Sequence, residues 1–132
     1  MSTVPLLDDA DLSPEAAAVF ADIRATRKTD FINNFWKALA NNPAQLQHIW
    51  STAKQVMAPG ALDALTKELI YIAISATNQC EYCIHSHTAA ARQKGMSEAQ
   101  YNELMAIIGM ANMTNGVVAA MQVPIDEEFM AG

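Results

Sequence analysis

The chain has 132 residues, of which 52% are hydrophobic and 17% charged, with a formal charge of −6 and a pI near 4.8. That is enough chain for one compact domain with a real core, and too apolar for disorder. The acidic balance excludes nucleic acid and anionic membranes as partners, because both need clustered Lys or Arg and no basic run is present.

The pattern reads as helices from end to end. Ser13-Pro14-Glu15 starts the first, with a capping hydroxyl, a first-turn proline and a carboxylate facing the dipole. It is expected to run to about Thr26 and to bury Ala18, Phe20 and Ile23. Asp30 is read as the cap of a short second helix carrying Phe31, Phe35, Trp36 and Leu39. Asn42-Pro43 ends that helix and starts a third, with Leu46, Ile49, Trp50 and Val56, which closes at Pro59-Gly60. A fourth, about Leu62 to Ala76, is apolar on nearly all sides after Glu68 and is expected to be central and buried. Asn78 and Glu81 have capping-box spacing for a fifth, running to about Lys94 and stopping at Gly95. Ser97 and Gln100 repeat the signal for a sixth carrying Tyr101, Leu104, Ile107 and Ile108, with a break near Asn112. A last helix from about Thr114 ends at Val123-Pro124, and residues 125–132 read as a loose acidic tail. No segment alternates as a strand does, so the expected fold is one all-α domain over residues 1–132, a bundle of six or seven helices.

Met1 to Asp11 lacks the basic start, apolar run and cleavage site of a secretory signal. The stretch read as most apolar, Leu69 to Ala76, is too short to span a bilayer. A cytoplasmic protein is expected, and there two cysteines separated by two residues are redox-active or metal-binding more often than structural.

Cys80-Glu81-Tyr82-Cys83, then His87, is the most informative segment. With Asn78 as cap, Cys80 falls in the first helical turn, and Cys80, Cys83 and His87 share one face. The free N–H groups and dipole of that terminus favour a thiolate, most strongly at Cys80. His87 stands four residues beyond Cys83, within reach of its sulfur directly or through water. Glu68, between Leu65 and Ile72, is an awkward carboxylate on an apolar side. An antiparallel hairpin turning at Thr77 to Gln79 would lay Glu68 against His87. Carboxylate, imidazole and thiol in line would form a proton relay.

Glu68 followed by Cys80-x-x-Cys83-x-x-x-His87 resembles the active-site pattern of the alkylhydroperoxidase D-like proteins of the carboxymuconolactone decarboxylase family. The likeness is strong over residues 62–95 and general in the flanking helices. It implies an all-helical, homo-oligomeric protein that reduces hydroperoxides through a cysteine disulfide, reopened by a dithiol or protein reductant. It further implies that Cys83 attacks peroxide, Cys80 resolves, and Glu68 and His87 relay the proton. The best-known members carry histidine just before the second cysteine, where this chain has Tyr82, a phenol able to donate a hydrogen bond but not to act as a base at neutral pH.

Other readings stay open. Cys80, Cys83, His85 and His87 have the residue types of a zinc quartet, but on a continuous helix His85 points away from the other three, so no metal is expected. His85 then reads as a polar neighbour or part of a subunit contact, and His48 as without a role. Met105, Met110, Met113 and Met121 read as core, or alternatively as an oligomer interface. Trp36 and Trp50 read as core, though the walls of a peroxide pocket would look the same. No flavin or nicotinamide motif is present, so no cofactor is expected. Lactone decarboxylation, or non-catalytic redox sensing, are the alternative functions; the former has no need of two thiols.

Overall fold

The computed structural model describes residues 1–130 and 132. It is all-α: six helices, α1 (Pro14–Arg27), α2 (Asn34–Leu39), α3 (Pro43–Met57), α4 (Ala64–Thr77), α5 (Glu81–Gln93) and α6 (Glu98–Met121), with 3-10 turns at Asp9–Asp11 and Glu127–Phe129 and no strand among the described residues. Two compact units follow one another along the chain, Met1–Ala58 and Pro59–Gly132.

The first unit packs α1, α2 and α3 around Phe20, Ile23, Trp36, Leu46 and Trp50. Helix starts fall where side-chain caps can satisfy free N–H groups. Ser13 accepts from Ala16 N–H and Asn42 from Gln45 N–H, each followed by proline. Ala16 and Val19, rather than Ala18, join Phe20 and Ile23 on the buried side of α1; Ala18 is exposed. Asp30 does not cap α2. Its carbonyl accepts from Arg24 Nε, Phe31 is exposed, and α2 begins only after Asn33. Trp36 and Trp50 are core, edge to face at 5.5 Å, and Trp50 Nε1 donates to Asp22 at 2.7 Å, which gives the buried indole its polar partner. The N-terminal segment is tied down by Arg24 on Asp9, Lys37 on Asp8, and Asn41 on the Pro5 carbonyl.

In the second unit, α4 and α5 form an antiparallel hairpin, and α6 packs on α4. Ile72, Ala91, Met96 and Leu104 are buried together, ringed by Leu65, Leu69, Tyr101 and Ile108. Asp63 caps α4, and Gly95 ends α5 at a φ of 92°, a conformation that glycine adopts without steric cost. Ser97 and Gln100 form the expected capping box of α6.

Two expectations about burial fail here because apolar composition does not say what covers it, and the expected break near Asn112 is absent. Helix α4 is not buried on all sides: Glu68, Ile72 and Ser75 are buried, while Ile70, Tyr71 and Ile74 lie open. Helix α6 runs unbroken for 24 residues through Asn112 and Thr114, with Leu104 its one buried residue. The expected separate last helix is its second half. Met105, 36% exposed, and Met110, Met113 and Met121, 64–69% exposed, are at the surface rather than in the core. By length and composition α6 could cross a bilayer, and it is a longer apolar run than Leu69 to Ala76.

Ile72, 1% exposed, is the pivot of the second unit's core. Ile72→Ala is expected to lower unfolding free energy by about 2–5 kcal/mol in urea titrations, with an unchanged helical far-UV spectrum.

Candidate active site

The α4–α5 turn places the thiols. Asn78 is still helical (φ −80°, ψ −2°) and closes α4 with its N–H on the Ile74 and Ala76 carbonyls. Gln79, at φ 55°, reverses the chain, and Cys80 N–H returns to the Ser75 carbonyl at 3.0 Å. The first extended residue before α5 is therefore Cys80, and it takes the capping role expected of Asn78. Its sulfur accepts from Cys83 N–H at 3.4 Å. Cys80 thus stands at the positive end of the α5 dipole as the cap itself, not inside the first turn. Both cysteines are free thiols and partly buried.

Glu68 is 4% exposed and has both oxygens engaged. Oε2 lies 2.7 Å from His87 Nδ1, and Oε1 accepts from Lys94 Nζ at 3.1 Å. Equal distances from the hairpin turn bring Glu68 and His87 together, as the spacing predicts. With Nδ1–H donating to the carboxylate, a neutral His87 ring keeps its lone pair on Nε2. Tyr71, one turn beyond Glu68 on α4, stacks on that ring, with centroids 3.6 Å apart and planes inclined by 22°.

These surroundings set the charges. Burial pushes the Glu68 carboxyl up, but the hydrogen bonds of His87 and Lys94, with the charge of Lys94 and of His87 when it is protonated, outweigh it and hold the group below its ordinary value. Burial, followed by the hydrogen bond and charge of Cys80, pushes the Cys83 thiol up to about 11. Burial, then the neighbouring Cys83, Cys80 and Glu68, raises the Tyr71 phenol, so it stays protonated at neutral pH.

The site residues read from sequence thus meet in two pairs, Glu68 with His87 and Cys80 with Cys83. No hydrogen bond joins His87 to Cys83 among the described residues, so the line from carboxylate to thiol has a gap at its last step. Tyr82 and His85 are exposed, and no group of three or more metal-ligating side chains is present among the described residues. His48 is exposed on α3. A groove of about 590 Å³ lies between α1 and α3 and is lined by Asp22, Trp50 and Lys54; none of the thiol or Glu68–His87 residues borders it. Sequence reasoning missed Tyr71 and Lys94. Tyr71 had a signal, standing three residues after Glu68 on one helical face. Lys94 had less, since its long side chain reaches back from the end of α5.

Residues 43–126 match the carboxymuconolactone decarboxylase family. The chain is 32% identical to an alkyl hydroperoxide reductase AhpD from Solibacter usitatus, over 83% of this chain and 61% of that protein. It is also 32% identical to an (R)-2-haloacid dehalogenase from Pseudomonas putida, over 76% of this chain and 34% of that protein. A protein of the cox locus in Paracoccus denitrificans is 41% identical over 52% of this chain and 60% of its own length. The chain therefore spans between about one third and three fifths of the length of these curated relatives. A solved structure, the alkylhydroperoxidase AhpD core from Rhodospirillum rubrum, is 58% identical, with a TM-score of 0.97 over 100% of this chain and 99% of that one. The helical fold, the thiol pair with its carboxylate–imidazole neighbour, and these matches together make the chain an AhpD-like member of the carboxymuconolactone decarboxylase family.

Proposed function

We propose that the chain reduces hydroperoxides through a reversible Cys80–Cys83 disulfide, with Glu68 and His87 moving the proton. The observation that carries this reading is the 2.7 Å contact between a buried carboxylate and His87 on the helix that presents both thiols. Buried carboxylates are costly, and one aimed at an imidazole beside two thiols is the equipment of acid–base chemistry. The names of the Solibacter relative and of the Rhodospirillum structure support hydroperoxide as the substrate class.

The thiolate of Cys83 attacks the distal peroxide oxygen. The O–O bond breaks, sulfur becomes a sulfenic acid, and the departing alkoxide takes a proton to leave as an alcohol. Cys80 then condenses with the sulfenic acid, giving the disulfide and water. A dithiol or protein reductant returns two electrons by thiol–disulfide exchange and is itself left as a disulfide. A thiol held near 11 is almost wholly protonated at neutral pH, so attack by Cys83 needs a base. His87 Nε2 fills that role across the gap to Cys83, with or without a bridging water, and Glu68 stabilises the imidazolium that results. No metal or organic cofactor enters this scheme.

We read residues 1–132 as one functional domain, which the Rhodospirillum structure supports by matching 100% of the chain. The open apolar side of α6 supports a homo-oligomer. We place the protein in the cytoplasm, where dithiol reductants are available, with neither nucleic acid nor membrane as partner. Lactone decarboxylation shares the fold but has no use for Cys80.

Cys83→Ser is expected to abolish reaction with an organic hydroperoxide, whereas Cys80→Ser leaves a sulfenic acid that a dimedone probe traps. The reverse pattern would transfer the attack to Cys80, and unchanged turnover of a lactone in Cys80→Ser would favour decarboxylation. Glu68 has its own signature. Its folded-state pKa lies below the ordinary 4.5, so its contribution to stability is complete above that value and is lost as pH falls through the lower folded one. Urea titrations should show Glu68→Gln less stable than the parent at neutral pH, and the difference should shrink on acidification below about pH 4.5.

A further inference from the structure

We propose that Lys94 is a positioning residue of the relay, setting through Glu68 the pH at which His87 can accept a proton. This deepens the peroxidase reading and rests on it. The geometry is that of a carboxylate divided between two partners. One Glu68 oxygen faces His87 Nδ1 at 2.7 Å and the other faces Lys94 Nζ at 3.1 Å. With the second oxygen held, the carboxylate cannot rotate away from the imidazole, and the Tyr71 ring fixes the imidazole's plane.

The ammonium also acts by charge. A buried carboxylate facing imidazole alone would hold a proton on the pair tightly, because an ion pair is the best neutralisation open to it. Lys94 supplies a fixed positive charge on the other side, so Glu68 stays ionised without drawing that proton onto His87. His87 and Lys94 on α5 act on Glu68, and Cys80, Cys83 and Glu68 act in turn on Tyr71 of α4. Helix α6, packed on α4, brings Tyr101 against the apolar cluster of Ile72, Ala91, Met96 and Leu104, with Arg92 of α5 over its ring at 5.6 Å, and neither acts on Glu68.

Lys94 can be changed without dismantling the helix end. Its backbone N–H, not its side chain, closes α5 on the Ala90 and Ala91 carbonyls, and Gly95 makes the turn. The test compares the full-length parent, Lys94→Met and Lys94→Arg in two readouts. The first is the His87 ring-proton titration by NMR, which needs no catalysis. The second is the pH profile of peroxide-driven thiol loss. Lys94→Met is expected to raise the His87 titration midpoint by about 0.5–1 pH unit and to move the acidic limb of the rate profile up by the same amount. Lys94→Arg is expected to restore both. An unmoved midpoint in Lys94→Met would overturn the proposal even if the variant were less stable, because a merely structural lysine changes stability without changing the titration. Absence of thiol loss in the parent would instead remove the peroxidase reading, and the NMR midpoint would still decide what Lys94 does to His87.

Discussion

The second unit is organised around one carboxylate. Glu68 lies in the middle of α4 on the side turned into the hairpin, where an unpartnered charge would cost several kcal/mol. It is tolerated because α5 returns antiparallel and delivers His87 and Lys94 to its two oxygens. The turn that makes this return possible is the one that sets Cys80 at the head of α5 and Cys83 a turn behind. Folding the hairpin thus joins Glu68 to His87 and sets Cys80 at the head of α5 in one event. Displacing the turn by a residue would shift His87 off Glu68 and rotate both thiols away together.

The two cysteines stand in different surroundings. Cys80 caps the helix, with the Cys83 N–H pointing at its sulfur, while Cys83 lies where burial and Cys80 together oppose ionisation. A buried thiol of this kind is inert unless a base is held ready. In the proposed scheme that readiness is supplied by the Glu68–His87 pair, whose orientation is fixed on one side by Tyr71 and on the other by Lys94. Tyr82, which stands where the family resemblance leads one to expect histidine, is exposed.

Much of this was legible in the sequence, and the boundary has physical causes. Caps that use hydroxyls, amides or carboxylates at a clear helix start were readable, as Ser13, Asn42 and the Ser97–Gln100 box show. The register of Glu68 against His87 could be read because a tight hairpin fixes it by counting from the turn. Asn78 misled because the chain stays helical through it and reverses at Gln79, leaving the cap to a cysteine, which is a weak acceptor seldom counted as one. Asp30 misled because its backbone, not its carboxylate, is used by Arg24. Burial was least legible. The apolar residues of α4 and α6 have a composition that suits a core, yet most of the α6 surface is open in the single chain, since composition records how much must be covered and not by what.

The central claim is that peroxide converts these two thiols into a disulfide. Intact mass of the fully reduced protein, alkylated at intervals after addition of about one equivalent of an organic hydroperoxide, measures it directly. The account predicts loss of both alkylation sites within seconds to minutes, with a mass decrease of about two protons and recovery of both sites on adding a dithiol. Two thiols that stay fully alkylatable throughout would contradict it.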